Sequence, residues 1–333
     1  MMADSPATPI VNAMTVDVED YYQVSAFESV VDRSKWDSYE SRVEANTERV
    51  LGILAEFGVR ATFFVLGWEA ERRPALVRRI AASGHEVASH GFGHRLVYDQ
   101  TPAEFREDVR TSKRLLEDAI GRPVFGYRAP SFSITKRSLW ALDVLIEEGY
   151  AWDASVFPIH HDRYGIPDAP RHPFRVPHGV GQIAVDQAGR GLSAALVESS
   201  VTGGPGQTGS HLLEIPASTI RFAGQNVPVA GGGYFRLLPY RWTTFGIRRL
   251  NRSEGRPAIF YLHPWETDPG QPRLAAGRLS RFRHYRNLRL TGQRLRRLLG
   301  EHRFGTVGEV FDPGASRRPT AVGGQSDTAV RLA

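Results

Sequence analysis

The chain has 333 residues, 41% hydrophobic and 23% charged, proportions that suit a folded globular enzyme rather than a disordered or fibrous chain. It contains no cysteine, which excludes disulfides and thiolate ligands and leaves His, Asp and Glu to hold any metal ion. The formal net charge is +6; no apolar run approaches the roughly 20 residues that span a bilayer, and residues 1–15 lack the basic and apolar regions of a secretory signal, so a cytoplasmic protein is expected.

Met14-Thr15-Val16-Asp17-Val18-Glu19-Asp20 runs from a short apolar strand straight into three carboxylates. Residues 42–57 carry Val43, Val50, Leu51, Ile53, Leu54 and Phe57 at helical spacing, with Gly58 as the stop. The β-branched and aromatic run 61–66 predicts a buried strand, and 74–83 a helix closed by Gly84. A strand over 85–89 then leads into Ser89-His90-Gly91-Phe92-Gly93-His94. Two imidazoles four apart can converge on one ion, but the intervening glycines disfavour a helix, so a loop or irregular turn is expected.

Thr101-Pro102-Ala103-Glu104 has the signals of a helix start, and that helix is expected to run to Ile120 and stop at Gly121. A strand over 124–128 ends on Arg128, a helix follows over 136–148, and Asp153 closes another strand. Between His160 and His211 prolines loosen the order, and Gly203-Gly204-Pro205-Gly206 predicts a flexible loop. A strand returns at 212–216. Gly231-Gly232-Gly233 predicts a tight turn, structural or placed to let backbone approach a ligand. The buried-looking strand 258–262 ends on His263 and Pro264.

Arginine crowds residues 273–303, where Leu288, Leu295, Leu298 and Leu299 recur at near-helical spacing. An amphipathic helix is the favoured reading, with contact to a membrane surface or an anionic polymer left open. From Asp312 onward the composition predicts a disordered tail. Strand and helix thus alternate, and polar residues gather at strand C-termini, as in a (β/α) barrel.

In order, these segments resemble the five motifs of the polysaccharide deacetylases of the NodB-homology, carbohydrate esterase family 4 type, over residues 14–265. The likeness is greatest to the exopolysaccharide-associated branch, with its DVED-type first motif and C-terminal extension. Ala61 to Gly67, the glycine run ending at Pro239 and Arg281-Phe282-Arg283-His284-Tyr285 carry that likeness. The resemblance implies an α/β fold, a distorted (β/α) barrel over 14–310 with its extension at about 215–310, between a flexible N-terminus (1–13) and a tail (311–333). It implies removal of N-acetyl groups from amino-sugar units of a polysaccharide or its precursor, with no nucleic-acid partner.

The same resemblance implies residue roles. His90 and His94 would bind a divalent ion, most often Zn2+, with a carboxylate of the first motif. Asp17 would be the general base, oriented by Arg128, and His263 the general acid, oriented by Asp153. The Ser131 N–H would face the oxyanion, and Trp265 and Tyr261, with Tyr234 and Trp68, are candidate sugar platforms. This chain departs from the family where Val18 follows Asp17. Alternation along the strand favours Glu19 as the ligand; a strand ending at Val18 would bring in Asp20 instead. Ser131 and Phe157 also stand where the family commonly has tyrosine and tryptophan. Two rivals remain: a metal hydrolase of the same fold acting on another non-peptide C–N bond, and a catalytically silent glycan-binding protein.

Overall fold

The structure, a computed structural model, describes residues 9–181, 211–229 and 231–311. Its organising strand is β1 (Val11–Val18), buried beyond its first residue. Met14, Val16 and Val18 pack outward into the largest apolar cluster, and Ala13 packs inward with Phe64, Ala88, Trp152 and Ile259. A strand apolar on both faces must be covered on both, which is the environment of a parallel sheet wrapped by helices. The inward face that holds Ala13 also carries Thr15 and Asp17, by the period of two.

Around it run β2 (Thr62–Val65), β3 (Glu86–Ser89), β4 (Gly126–Tyr127), β5 (Trp152–Asp153), β6 (Phe174–Pro177), β7 (His211–Glu214), β8 (Thr219–Phe222), β9 (Gln225–Pro228), β10 (Ile259–Leu262) and β11 (Arg303–Gly305). The main sheet has the order β10-β1-β2-β3-β4-β5-β7-β6, with β11 also on β1. All its pairs are parallel except β6 on β7. Between β7 and β10 the seam is bridged by Ser218, whose Oγ accepts from the Ile259 N–H at 2.8 Å and whose carbonyl accepts from the Val229 N–H at 3.3 Å. The fold is a distorted (β/α) barrel.

Its crossover helices are α1 (Val43–Glu56), α2 (Gly67–Arg72), α3 (Pro74–Ala82), α4 (Pro102–Ile120) and α5 (Trp140–Glu147). α4 starts in a Thr101–Glu104 capping box and ends on Gly121 in the left-handed conformation. The later helices are α6 (Gly232–Leu237), α7 (Tyr240–Ser253), α8 (Arg278–Tyr285), α9 (Leu288–Glu301) and α10 (Val307–Phe311).

Three expectations change. Order begins before residue 14: Val11, Asn12 and Ala13 pair with β11, and the Asn12 side chain accepts from the Ala258 N–H at 2.8 Å. The C-terminal extension is woven into the barrel, since β10 and β11 both pair with β1. The arginine-rich segment forms two helices, broken where Asn287 takes a φ of +61°, and the expected amphipathic helix is the second, which buries Leu288, Leu295, Leu298 and Leu299. The predicted loop at 203–206 and the tail from 312 lie outside the described residues.

Candidate active site

The C-terminal ends of β1, β3, β4 and β10 open into one cleft of about 490 Å³. Asp17, Glu19, His90, His94, Arg128 and His263 line it together. All but His263 are at least 97% buried, because the strand ends that carry them lie under the loops that follow.

Glu19 Oε2 lies 2.7 Å from His94 Nε2, and one ligand atom from each of Glu19, His90 and His94 falls within 4.8 Å of the others. His94 has φ +50°, and Gly91, at +73°, turns the chain so that both rings face inward, their centroids 5.6 Å apart. His90 Nδ1 donates to the Arg128 carbonyl at 2.8 Å. A carbonyl only accepts, so this bond fixes the tautomer and leaves Nε2 with its lone pair. Burial also pushes the His90 pKa down to about 4, favouring the neutral ring that a metal requires. Glu19 Oε2 is buried, with His94 Nε2 as its close polar neighbour. This oxygen and two imidazole nitrogens fit a zinc-like ion with open positions. Asp20 is engaged elsewhere: its Oδ2 accepts from Ser41 Oγ (2.8 Å) and from the Arg42 and Val43 N–H groups (2.7 and 3.1 Å) at the start of α1.

Arg128 Nη1 donates to Asp17 Oδ1 at 2.7 Å and to Thr15 Oγ1 at 2.8 Å. Its guanidinium lies 4.1 Å from the Phe64 ring centroid, so packing as well as hydrogen bonding fixes the Asp17 carboxylate.

His263 Nε2 stands 3.5 Å from Glu19 Oε1 and 3.9 Å from Asp17 Oδ2. Its Nδ1 faces Glu266 Oε1 at 3.6 Å. Burial opposes a charge on His263, but Glu19, Glu266 and Asp17 outweigh it and bring the pKa up to about 9. Glu266 is fully buried, which raises its pKa, yet Arg236 and His263 hold it down at about 2. Arg236 Nε donates to Glu266 Oε1 at 2.9 Å, and its Nη1 donates to the carbonyls of Arg283, His284 and Arg286.

This corrects the expectation for Asp153. It lies opposite Glu214 across β5 and β7 and accepts from Ser155 Oγ at 2.5 Å. The carboxylate facing His263 Nδ1 is Glu266, which the Pro264 turn brings three residues past the histidine. Sequence reasoning passed over Glu266 and Arg236. A carboxylate at the third position after a strand-end histidine was the available signal for the first; nothing local marks the second.

Ser131 lines the cleft at φ +52°, and its N–H has no partner among the described residues. Its hydroxyl pairs with Ser25 Oγ at 2.7 Å. Tyr261 and Tyr234 also line the cleft. Trp265 does too, but its ring is sandwiched between His263 (5.2 Å) and His284 (4.1 Å), and its Nε1–H donates to Glu19 Oε1 at 3.2 Å. That indole is therefore a support for the ligand carboxylate more than an open platform. Trp68 is not in this cleft; it packs on Trp36 with Arg72 over its ring.

Residues 32–145 match the family model described as polysaccharide deacetylase, and residues 198–312 match one described as a domain of unknown function, DUF3473. The likeness to polysaccharide deacetylases thus lies in residues 32–145, about a third of the chain. It is similar to a chitooligosaccharide deacetylase of Bradyrhizobium sp. strain ANU 289, 34% identical over 110 residues, 33% of this chain and 48% of the relative. A chitooligosaccharide deacetylase of Sinorhizobium fredii strain NGR234 is 56% identical over 111 residues, 33% of this chain and 49% of the relative. The matches thus span about half the length of these relatives. Among solved structures, a candidate polysaccharide deacetylase from Mycobacterium smegmatis superposes with TM-score 0.53 at 20% identity, covering 96% of this chain and 99% of that one. Puue allantoinase superposes with TM-score 0.55 at 12% identity, covering 96% of each. Both likenesses show the fold.

The cleft draws on all parts of the chain. Asp17 and Glu19 precede the deacetylase match, His90, His94 and Arg128 fall within it, and His263, Glu266 and Arg236 fall within the DUF3473 match.

Proposed function

We propose that the protein is a metal-dependent hydrolase that removes N-acetyl groups from amino-sugar units of a polysaccharide or oligosaccharide. The observation that carries this reading is the convergence, in one cleft, of a Glu19–His90–His94 donor set, an arginine-held carboxylate and a carboxylate-backed histidine. A divalent ion held by Glu19, His90 and His94 would supply Lewis-acid polarisation of the acyl group and of water.

Asp17 accepts the proton from the attacking water, with Arg128 holding its carboxylate in place and balancing its charge. As the water oxygen bonds to the acyl carbon, the Ser131 N–H lies at the cleft wall to donate to the developing oxyanion. His263, backed by the Glu266 carboxylate, delivers its proton to the sugar nitrogen as the C–N bond breaks. Acetate and a free amine result. An amine leaves poorly unprotonated, so a base and an acid must face the same scissile bond. Asp17 and His263 do so, 3.9 Å apart at their nearest atoms.

The test is acetate release from a panel of N-acetylhexosamine oligomers, with and without chelator, alongside elemental analysis of the purified protein. A cyclic ureide in the same panel separates the rival chemistry. Metal-dependent acetate release is expected; turnover of the ureide alone, or no stoichiometric metal, would overturn the reading.

A further inference from the structure

From Arg273 to Gly300 the chain has no acidic residue. Arg273, Arg278, Arg281, Arg283, Arg286 and Arg289 are all exposed, and none has an acidic partner among the described residues. Arg296 and Arg297, further along α9, behave differently: they pair with Glu56 and Glu301. Unpaired charge is therefore concentrated on α8 and the turn into α9. Large apolar side chains are exposed there as well, Leu279 at 62%, Phe282 at 54% and Leu290 at 42%.

α8 has two faces with different roles. His284 is buried against Trp265 and Phe27, and Arg283 lines the catalytic cleft. Leu279 and Phe282, three apart and so on one side of the helix, point away into solvent among the arginines. Arg273, Arg278, Arg281, Phe282, Tyr285 and Arg286 surround a shallow depression of about 350 Å³.

We propose that the outer face of α8 docks on an anionic phospholipid bilayer, with Leu279 and Phe282 entering the headgroup–acyl boundary and the arginines engaging lipid phosphates. Charge complementarity selects an anionic surface, because cationic side chains are drawn to the negative potential of such a leaflet. The apolar tips select a bilayer over a soluble anionic polymer. A polymer would meet the guanidinium groups but offer nothing to desolvate a leucine and a phenylalanine, whereas an interfacial helix pairs a basic flank with an apolar one. Since the opposite face of α8 walls the cleft, docking sets the cleft mouth beside the membrane, within reach of a saccharide carried on lipid.

Vesicle sedimentation tests this without any turnover, so it stands or falls separately from the deacetylase reading. The full chain is expected to sediment with vesicles of phosphatidylglycerol and phosphatidylcholine in roughly equal parts, and to stay in solution with phosphatidylcholine alone. The pair Arg278→Gln and Arg281→Gln is expected to weaken partitioning about 30-fold, roughly fivefold for each arginine. The pair Leu279→Ser and Phe282→Ser is expected to weaken it at least about tenfold. Unchanged near-ultraviolet circular dichroism checks that both variants stay folded. No binding by the parent chain, or binding that survives both pairs of substitutions, overturns the proposal. So does binding to a soluble polyuronate that needs the arginines while vesicle binding ignores Leu279 and Phe282, which would assign the patch to an anionic polymer.

Discussion

At the scale of single residues, the site separates holding from proton transfer. His94 supplies a donor to the Glu19–His90–His94 set, whereas His263 lies outside that set and is backed by Glu266. His94→Ala is expected to abolish both bound metal and acetate release. His263→Ala is expected to keep stoichiometric metal and lose about 10²–10⁴-fold in turnover, the usual worth of a positioned acid; elemental analysis beside the rate distinguishes them. Glu266→Gln removes the negative charge that supports His263 and faces Arg236. Glu266 has its pKa lowered to about 2, so its contribution to stability is present above the unfolded value of 4.5 and lost as pH falls toward 2. Parent and variant are expected to differ in urea midpoint at pH 7, with the parent more stable, and the gap is expected to shrink below pH 4.5 and close only as the pH nears 2. A gap that widened on acidification would contradict the arrangement.

At the scale of elements, two contacts fix strands in register. Gly231 has φ +110°, and a Cβ there would sit 2.0 Å from the Tyr261 carbonyl oxygen. The glycine turn thus serves close backbone approach to β10, the strand that ends on His263, while Gly233 lines the cleft. Gly231→Ala is expected to cost at least about 2 kcal/mol, since strain and a backbone clash coincide, and to lower activity by displacing β10; thermal melting and acetate release report the two effects.

Between β5 and β7, Asp153 Oδ2 and Glu214 Oε2 are buried without ordinary partners, and both carboxyls have raised pKa values, Glu214 through burial and then the Asp153 charge. Stability from such raised acids is complete below their unfolded values near 4 and erodes as pH rises toward the folded values. Glu214→Gln puts an amide donor in the pair and removes a charge. Its urea stability relative to the parent is expected to improve, by roughly 1–3 kcal/mol, as the pH rises above the unfolded carboxyl values. A constant difference over that rise would show that the two carboxyls do not share a proton.

At the scale of the whole molecule, the cleft joins β1, β3, β4 and β10, so an ion held there cross-links segments far apart in the chain. A ligand that binds only the folded state adds about 2.7 kcal/mol at a free concentration one hundred times its Kd. Chelation is therefore expected to lower the melting temperature by several degrees and zinc to restore it. Substituting His94 should abolish that response while leaving the apo melting temperature nearly unchanged. Loss of the response without His94 being involved would place the ion elsewhere.

The alternation of strands and helices, the Thr101 capping box and the strand-end positions of Asp17, Arg128 and His263 were all legible in the chain, because periodicity, caps and strand ends are local properties of sequence. β1 ends at Val18, the condition expected to bring in Asp20, yet Glu19 is the carboxylate beside the histidines and Asp20 turns to the start of α1. Which carboxylate stands behind His263 was not legible. Asp153 and Glu266 are equally plausible in one dimension, and the choice depends on β5 pairing with β7 while the Pro264 turn folds Glu266 back under the imidazole. Arg236 is the extreme case: 30 residues before its carboxylate, it is buried there by packing that no local pattern encodes. Short-range chemistry determined the elements and their polar ends; burial and strand order, properties of the closed barrel alone, decided which charges meet.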